Sequence, residues 1–278
     1  MRKVCLLLAV CACLAIELNA QQLRTPPAST TTTVRQDFGI SFVELNYSRP
    51  SMKGRKIFGD LVPYGKVWRT GANNATVITF GDTVFIGGKK VNPGKYGLLT
   101  IPETGSWTII LTKQLDVTSP AAYKQDQDVV RVTAEAQQLP FSIETFSMMF
   151  SDIKSNSMGL AMFWDNVIVQ LPITTDVDSR IMSQINQLMN VDSKPYFNAA
   201  LYYLDNGKDL NQAVAWFDKA IQQNPRAFWA YHQKANALAK LGKKQEAIAS
   251  AKKSIEIAKE EKNDDYVKLN EDLLKKLN

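Results

Sequence analysis

Histidine and cysteine are nearly missing from this sequence. Its 278 residues include a single histidine, His232, and three cysteines, Cys5, Cys11 and Cys13, which all lie close to the first residue. Catalytic arrangements that pair serine or cysteine with histidine, and zinc sites of the HExxH type, therefore have no histidine before residue 232. We predict no catalytic residues, no metal site and no cofactor, so an enzymatic activity is the less favoured interpretation.

The N-terminal residues have the layout of a secretory signal peptide. A basic start at Arg2 and Lys3 is followed by an apolar run from Val4 to Ile16 and by a small residue, Ala20. That run is shorter than the roughly 20 residues that span a membrane. We expect a signal peptide over residues 1–20, and cleavage after Ala20 leaves an exported chain with no cysteine and no transmembrane helix.

The formal net charge of +6 is a modest excess. Much of it lies near the C-terminus, where Lys and Glu alternate as they do on a solvated helix face. The charge therefore does not indicate a nucleic-acid partner.

Two changes of composition divide the sequence after residue 20. Residues 21–34 are polar and rich in Thr and Pro, which predicts a flexible linker. Over residues 35–173, short runs of Val, Ile, Thr and aromatic residues alternate with Gly, Pro, Asn and Asp turns, which predicts an all-β sandwich. The expected strands are residues 39–47, 66–70, 75–80, 83–86, 95–101, 107–111, 129–135, 142–150, 158–164 and 167–171.

Residues 177–278 show helical patterning instead. Amphipathic segments separated by short polar loops predict helices over residues 177–190, 195–204, 210–223, 227–240, 244–261 and 266–277. The predicted fold class is thus a multidomain α+β protein, with an all-β sandwich followed by an all-α helical repeat array.

The helical part contains an internal repeat. Ala213, Phe217 and Ala220 recur 34 residues later as Ala247, Ala251 and Ser254, and 34 residues is the period of a tetratricopeptide helix hairpin. This part resembles the tetratricopeptide family. Because two repeats leave apolar faces without a neighbour, we expect the first and last helices to act as caps.

One stretch, residues 47–80, is dense in arginine, aromatic residues and glycine. Its arginines suit carboxylate, phosphate or sulfate oxygens, and its aromatic and amide side chains suit a glycan or another small ligand. The alternative is that these arginines and aromatics are structural and belong to the core. The predicted ligand-binding residues are Tyr47, Arg49, Arg55, Trp68, Arg69, Asn73 and Thr76.

Carboxylates in or beside the predicted strands leave a hydrolase open as the alternative function. The sequence does not show which of them approach each other. They are Glu44, Asp60, Asp82, Asp126, Asp128, Glu135 and Asp165.

Several short sequence motifs in the β part are characteristic of a family. YSRPS at 47–51, GRKIFG at 54–59, LVPYG at 61–65, WRTGAN at 68–73 and PGKYGL at 93–98 occur in order. Residues 34–173 closely resemble a domain family of unknown function found in exported proteins of Gram-negative bacteria. The resemblance implies export to the periplasm or cell surface, a following tetratricopeptide array and no established activity.

The tetratricopeptide resemblance also implies a binding groove lined by the first helix of each hairpin. In that register, the predicted partner-binding residues are Phe197, Leu201, Trp229, His232 and Asn236. An extended peptide or a partner protein would bind there. The alternative is that so short an array caps or packs against the β part.

Together these patterns favour an exported, non-enzymatic binding protein. The sandwich would bind an anionic or sugar-like ligand or an envelope component, and the helices would bind a protein. The alternative is a carboxylate-dependent hydrolase that acts on glycans or other envelope material.

Overall fold

The structure, a computed structural model, describes residues 25–191 and 194–277. The chain forms two compact units, one ending at Asp176 and the other beginning at Val177. The predicted signal peptide and the first part of the predicted linker, residues 21–24, lie outside the described residues.

The first unit is an antiparallel sheet of nine strands within the described residues, ordered β1-β2-β3-β6-β7-β8-β9-β4-β5. The strands are β1 Thr30–Phe38, β2 Ser41–Arg49, β3 Thr76–Phe80, β4 Val84–Ile86, β5 Lys89–Val91, β6 Gly94–Pro102, β7 Ser106–Thr112, β8 Asp128–Ser151 and β9 Ser157–Thr174. Two single 3-10 turns, Pro120–Ala122 and Gln125–Gln127, lie between β7 and β8.

The long strand β8 makes this sheet a sandwich. Its first part pairs with β7 as far as Glu135, and from Ala136 onward it pairs with β9. Because β8 belongs to both halves, the sheet folds over on itself and the two halves enclose one core, which includes Trp107, Phe146 and Trp164. The predicted all-β sandwich is confirmed.

A second set of contacts ties the end of β2 to the far part of β8. The Tyr47 hydroxyl donates to Met148 O at 3.2 Å and accepts from Met148 N at 2.8 Å. Arg49 Nε donates to Phe146 O at 3.2 Å, and its Nη2 donates to Ser147 Oγ at 2.7 Å. Beyond the strand, Phe146 N donates to Pro50 O at 2.9 Å. Side-chain donors thus join strands from the two halves, and the chain after β2 starts from a fixed position.

Part of the predicted linker is a strand. From Thr30 onward the chain forms β1, which pairs with β2 along its whole length, so the flexible linker over residues 21–34 was wrong for residues 30–34. Threonine is β-branched and favours strands, and an edge strand with a solvated face needs few apolar residues. A Thr-rich tract can therefore have a polar composition and still form a strand.

Other strand predictions were wrong in detail. Residues 66–70 form no strand, since only Trp68 bridges to Thr100. The expected pairs 129–135 with 142–150, and 158–164 with 167–171, are the single strands β8 and β9. The apparent turns between them are irregularities in the β8–β9 register, where Asp165 has a φ of 50°. The three-residue strand β5 was missed.

The second unit is helical, as predicted. Asp209 caps the third helix through its side chain, which accepts from the amides of Asn211 and Gln212. No helix of the described residues is long and apolar enough to cross a membrane. The helices are α1 Val177–Leu188, α2 Tyr196–Asp205, α3 Leu210–Gln223, α4 Phe228–Lys240, α5 Lys244–Glu260 and α6 Asp264–Leu277, all within two residues of the predicted bounds.

Replacing Tyr47 with phenylalanine tests the tie between β2 and β8. The ring contact with Phe146 is kept, but the buried amide and carbonyl of Met148 lose their partner. We expect the free energy of unfolding, measured by urea denaturation, to fall by about 1–3 kcal/mol.

Tyr64→Phe is the control. Tyr64 is 38% exposed and its hydroxyl makes no hydrogen bond within the described residues, so we expect a change within about 0.5 kcal/mol. Equal denaturation midpoints for the two variants would contradict the role given to Tyr47.

Candidate functional site

The β unit contains a cleft of about 610 Å³. Its walls come from the long connection between β2 and β3 and from the loop after β7. Residues 28–29 lie at its edge, and Trp164 of β9 is also among the lining residues. Small-molecule sites typically occupy about 300–1,000 Å³. The cleft therefore has the size of a small-molecule site, and loops held by the sandwich shape it.

All the charged side chains that line the cleft are cationic. They are Lys53, Arg55, Lys66 and Arg69, and no carboxylate is among the lining residues. None of the four makes an ion pair within the part of the chain that the structure describes. The lining side chains thus carry an excess of positive charge, and one carboxylate from outside the lining, Glu144, accepts from Lys53 N at 2.8 Å.

Main-chain carbonyls hold the two guanidinium groups in place. Arg55 donates through Nε to Met52 O at 2.8 Å and through Nη2 to Ser51 O at 2.6 Å. Arg69 donates through Nη1 to Thr118 O at 2.6 Å. A carbonyl fixes a guanidinium without cancelling its charge, so both groups are positioned for an anion before one arrives.

Arg69 also has an unsatisfied donor. Its Nε is buried and has no hydrogen-bond partner among the described residues. Buried polar groups in folded proteins are nearly always paired, and an exception calls for an explanation such as a ligand. Nε is closed off from solvent, whereas Nη2 also lacks a partner among the described residues and is not buried, so an anion in the cleft would meet the guanidinium through Nη2.

Tryptophan forms the inner wall. The Trp68 and Trp164 rings are stacked, with their centroids 5.7 Å apart and an interplanar angle of 17°. Trp68 Nε1 donates to Gly71 O at 3.1 Å, and Trp164 Nε1 donates to Glu144 O at 3.2 Å. Trp164 is only 1% exposed, so the half-buried Trp68 ring, with its donor already bonded, contributes the apolar surface and Trp164 supports it from the core.

The backbone beside Trp68 and Arg69 is strained. Thr70, a β-branched residue, has a φ of 56° and is fully buried. It is held by Thr76 Oγ1, which donates to Thr70 O at 2.5 Å. At Gly71, with a φ of 147°, a Cβ would lie 2.8 Å from Ser48 O, so the close approach requires glycine. Strain of this kind collects at binding sites, where the surrounding structure enforces it.

The loop after β7 is fixed by a cluster with no net excess of charge. Tyr123 packs with Val117 and Val67, which both line the cleft. Its hydroxyl donates to Asp128 Oδ2 at 2.5 Å, and Arg131 pairs with the same oxygen at 2.9 Å. Burial, together with the hydrogen bond to Asp128, raises the pKa of Tyr123 to about 12. The phenol therefore stays neutral at physiological pH.

The structure brings three of the seven predicted ligand residues into the cleft, namely Arg55, Trp68 and Arg69. Tyr47 and Arg49 instead tie β2 to β8. Tyr47 and Arg49 therefore fit the alternative interpretation, in which these side chains are structural.

Asn73 and Thr76 lie behind the cleft wall. Asn73 Nδ2 donates to Ser29 O and to Ser48 Oγ, both at 3.2 Å, and so holds Ser29 at the edge of the cleft. Thr76 is buried and holds Thr70 O. Both support the wall rather than line it.

Sequence reasoning missed Lys53, Lys66 and Trp164. Each lysine lies beside a turn glycine, Gly54 or Gly65, in a segment already singled out for its arginines. The position of each lysine, next to a turn glycine in an arginine-rich segment, was the sequence feature that could have indicated it. Trp164 lies nearly a hundred residues away, and nothing local to it indicated the cleft.

None of the carboxylates considered for a hydrolase lines the cleft. Glu44 pairs with Arg35 at 3.5 Å, Asp128 belongs to the Tyr123 cluster, and Asp165 Oδ1 accepts from Ser142 Oγ at 2.8 Å. Glu135 lines a second, smaller cavity of about 420 Å³. The described residues contain no group of three or more His, Cys, Asp and Glu side chains suited to a metal.

In the helical unit, several of the predicted partner-binding residues take part in packing. Phe197 and Leu201 pack against the core of the first hairpin, and the Phe197 ring centroid is 5.9 Å from that of Phe217. Trp229 contacts Phe228 edge-to-face, with centroids 5.0 Å apart. All three remain half-buried, so part of each surface is open.

His232 is buried in a hydrogen-bond network. Asn270 of α6 donates through Nδ2 to Ser254 Oγ at 2.9 Å and to Tyr266 O at 2.7 Å. Its Oδ1 therefore faces His232 Nδ1, 2.9 Å away, and Nδ1 donates. His232 Nε2 lies 3.1 Å from Nδ2 of half-buried Asn236. His232 thus joins α4 to α6 and orients Asn236, and it does not project freely into a groove.

Comparison with known families gives matches in both units. A family described as a protein of unknown function (DUF2911) matches residues 29–173, slightly more than half of the chain. Tetratricopeptide repeats match residues 193–226 and 216–249. Comparisons with curated proteins and with solved structures gave no significant match. The resemblances predicted for the two parts of the sequence are confirmed.

Asn270→Ala tests the network that joins α4 to α6. The substitution removes the acceptor of buried His232 Nδ1 and the donor to Ser254 Oγ, which keeps its own hydrogen bond to Phe228 O. We expect the helical unit to lose about 1–3 kcal/mol of stability, measured by chemical denaturation followed by circular dichroism at 222 nm.

Asn198→Ala, on an exposed position of α2 without a side-chain hydrogen bond within the described residues, is the matched control. It should change the stability by about 0.5 kcal/mol or less. If Asn270→Ala unfolds at the same denaturant concentration as this control, the network does not hold α6.

Proposed function

We propose that this chain, which belongs to the DUF2911 family of proteins of unknown function, is an exported, non-enzymatic binding protein. The cleft of the sandwich binds an anionic ligand, and the helical repeats bind a protein partner. The observation that carries the proposal is the cleft lining, which has four cationic side chains and no carboxylate.

Electrostatics favours an anion in this cleft. Cations that line one cleft repel one another, and the repulsion grows as their separation falls. An anion between the cations relieves that repulsion. It also offers an acceptor to Arg69 Nη2, which has no partner among the described residues and is not buried.

The alternative function receives no support from the cleft. A hydrolase that works through carboxylates places an acid and a base beside the substrate. The cleft lining contains neither Asp nor Glu. We therefore retain binding as the proposed activity.

The tetratricopeptide repeats suggest a role in protein interaction. We place the partner, a peptide or a protein segment, along the first helices of the hairpins, α2 and α4. Phe197, Leu201 and Trp229 would contribute their half-exposed apolar surfaces. Asn236, oriented by His232, would contribute a polar contact.

Export is also part of the proposal, with the periplasm or the cell surface as the destination. It rests on the basic start, the apolar run and Ala20, all outside the described residues. In a Gram-negative host, mass spectrometry of the purified exported chain should give an N-terminus at Gln21. A mature chain that still begins at Met1 would contradict export by this signal.

The double variant Lys53→Gln with Lys66→Gln tests the cationic cleft. Neither lysine side chain makes a hydrogen bond or ion pair within the described residues, so the fold should be unaffected. We expect affinity for inorganic pyrophosphate, measured by isothermal titration calorimetry, to fall about tenfold because two attractive charges are lost. Added salt should weaken binding to the wild-type protein.

The control is Lys90→Gln with Lys95→Gln, which removes the same charge from exposed positions outside the cleft. It should bind pyrophosphate as the wild type does. Equal affinities for the two double variants would show that the anion binds elsewhere, and no binding to the wild type would overturn the proposed function.

A further inference from the structure

We propose that the ligand of the cleft is an amphipathic anion, with an anionic group at one end and an apolar body, rather than a glycan or another hydroxyl-rich molecule. This inference rests on the proposed function and names the chemical class of its ligand. It follows from the donors and acceptors that the cleft offers.

The cleft is rich in donors and poor in free acceptors. Its lining contains no Asp, Glu, Asn, Gln or His side chain. Lysine and arginine donate hydrogen bonds and accept none. The uncharged polar side chains of the lining are Ser29, Ser51, Thr118 and Ser119.

Main-chain acceptors around the cleft are largely engaged as well. Arg55 occupies the carbonyls of Ser51 and Met52, Arg69 occupies that of Thr118, and Trp68 occupies that of Gly71. A sugar hydroxyl both donates and accepts, so it needs an acceptor from the protein. The side-chain acceptors left for a polyhydroxylated body are the hydroxyls of Ser29, Thr118 and Ser119, so such a ligand matches the cleft less well than an anion, which only accepts.

The remaining surface is apolar. Half-buried Trp68 presents ring carbon because its Nε1 donor is bonded within the protein, while Trp164, 1% exposed, lies behind it and supports it. Pro63 and Val67 extend this surface, and Leu61, also in the lining, is 43% exposed. Covering exposed apolar surface in a concave site with an apolar ligand group removes that surface from water, which favours binding.

The anionic end of the ligand meets the arginines. Within the described residues, Arg69 has two nitrogens without a protein partner, the buried Nε and Nη2, which lie on the same side of the guanidinium. Of the two, Nη2 is the donor that is not buried, and it suits an oxygen of a carboxylate or phosphate. Arg55 Nη1 also makes no hydrogen bond to the described residues and adds a further donor.

A series of phosphates that differ only in their bodies tests this class of ligand. The full mature chain is titrated calorimetrically with 1-naphthyl phosphate and with glucose 6-phosphate, which share the phosphate monoester and differ in the group it carries. We expect 1-naphthyl phosphate to bind at least tenfold more tightly. If glucose 6-phosphate binds equally or more tightly, the ligand class is wrong.

Leu61→Ser and Ile40→Ser form a matched pair for the apolar wall. Both residues are 43% exposed, but only Leu61 lines the cleft. We expect Leu61→Ser to weaken 1-naphthyl phosphate at least threefold and to leave pyrophosphate unchanged, while Ile40→Ser changes neither. Equal naphthyl phosphate affinities for the two variants would place the apolar body outside the cleft and overturn the inference.

The two proposals fail in different ways. If pyrophosphate and both monophosphates all fail to bind, the proposed anion-binding function is wrong. If pyrophosphate binds in the cleft but the naphthyl group adds no affinity over glucose, the function stands and the amphipathic ligand is wrong.

Discussion

The β unit depends on the tie between the end of β2 and the far part of β8. The buried Tyr47 hydroxyl joins these strands across the fold by bonding both main-chain groups of Met148, and Arg49 adds contacts to Phe146 and Ser147. Because the tie fixes where β2 ends, it also fixes where the chain at Pro50 begins to form the cleft wall. The arrangement of cations and tryptophans follows from that starting point.

The cleft combines features that weaken a fold when no ligand is present. Four cations lack carboxylate partners, Arg69 Nε is buried without a hydrogen bond, and Thr70 has a strained backbone. The large aromatic core, in which Trp68 contacts Phe146 and Trp164, offsets these costs. Proteins accept local conflicts of this kind mainly at functional sites, which is why the cleft is the candidate rather than the smaller cavity.

The sequence predicted the helical unit more accurately than the β unit, and the reason is the range of the interactions. Helix periodicity and the Asp209 cap act within a few residues, so all the helix bounds were found. Tyr47 and Arg49 have partners about a hundred residues away, and no local pattern distinguishes such structural residues from a binding site. Most of the residues that line the cleft fall within residues 47–80, the stretch singled out by its composition. That composition did not separate Arg55, Trp68 and Arg69, which line the cleft, from the residues that support its wall.

Anion binding in the cleft depends on the guanidinium group of Arg69, whose Nε–H is buried and whose Nη2 is not. Nuclear magnetic resonance of the arginine Nε–H groups, during titration with 1-naphthyl phosphate, tests it most directly. Loss of one signal in Arg69→Lys assigns the resonance. We expect the Arg69 signal to shift with ligand concentration while that of Arg35, which lies over Phe42 on the sheet, stays unchanged. Binding that leaves the Arg69 signal in place would contradict that dependence.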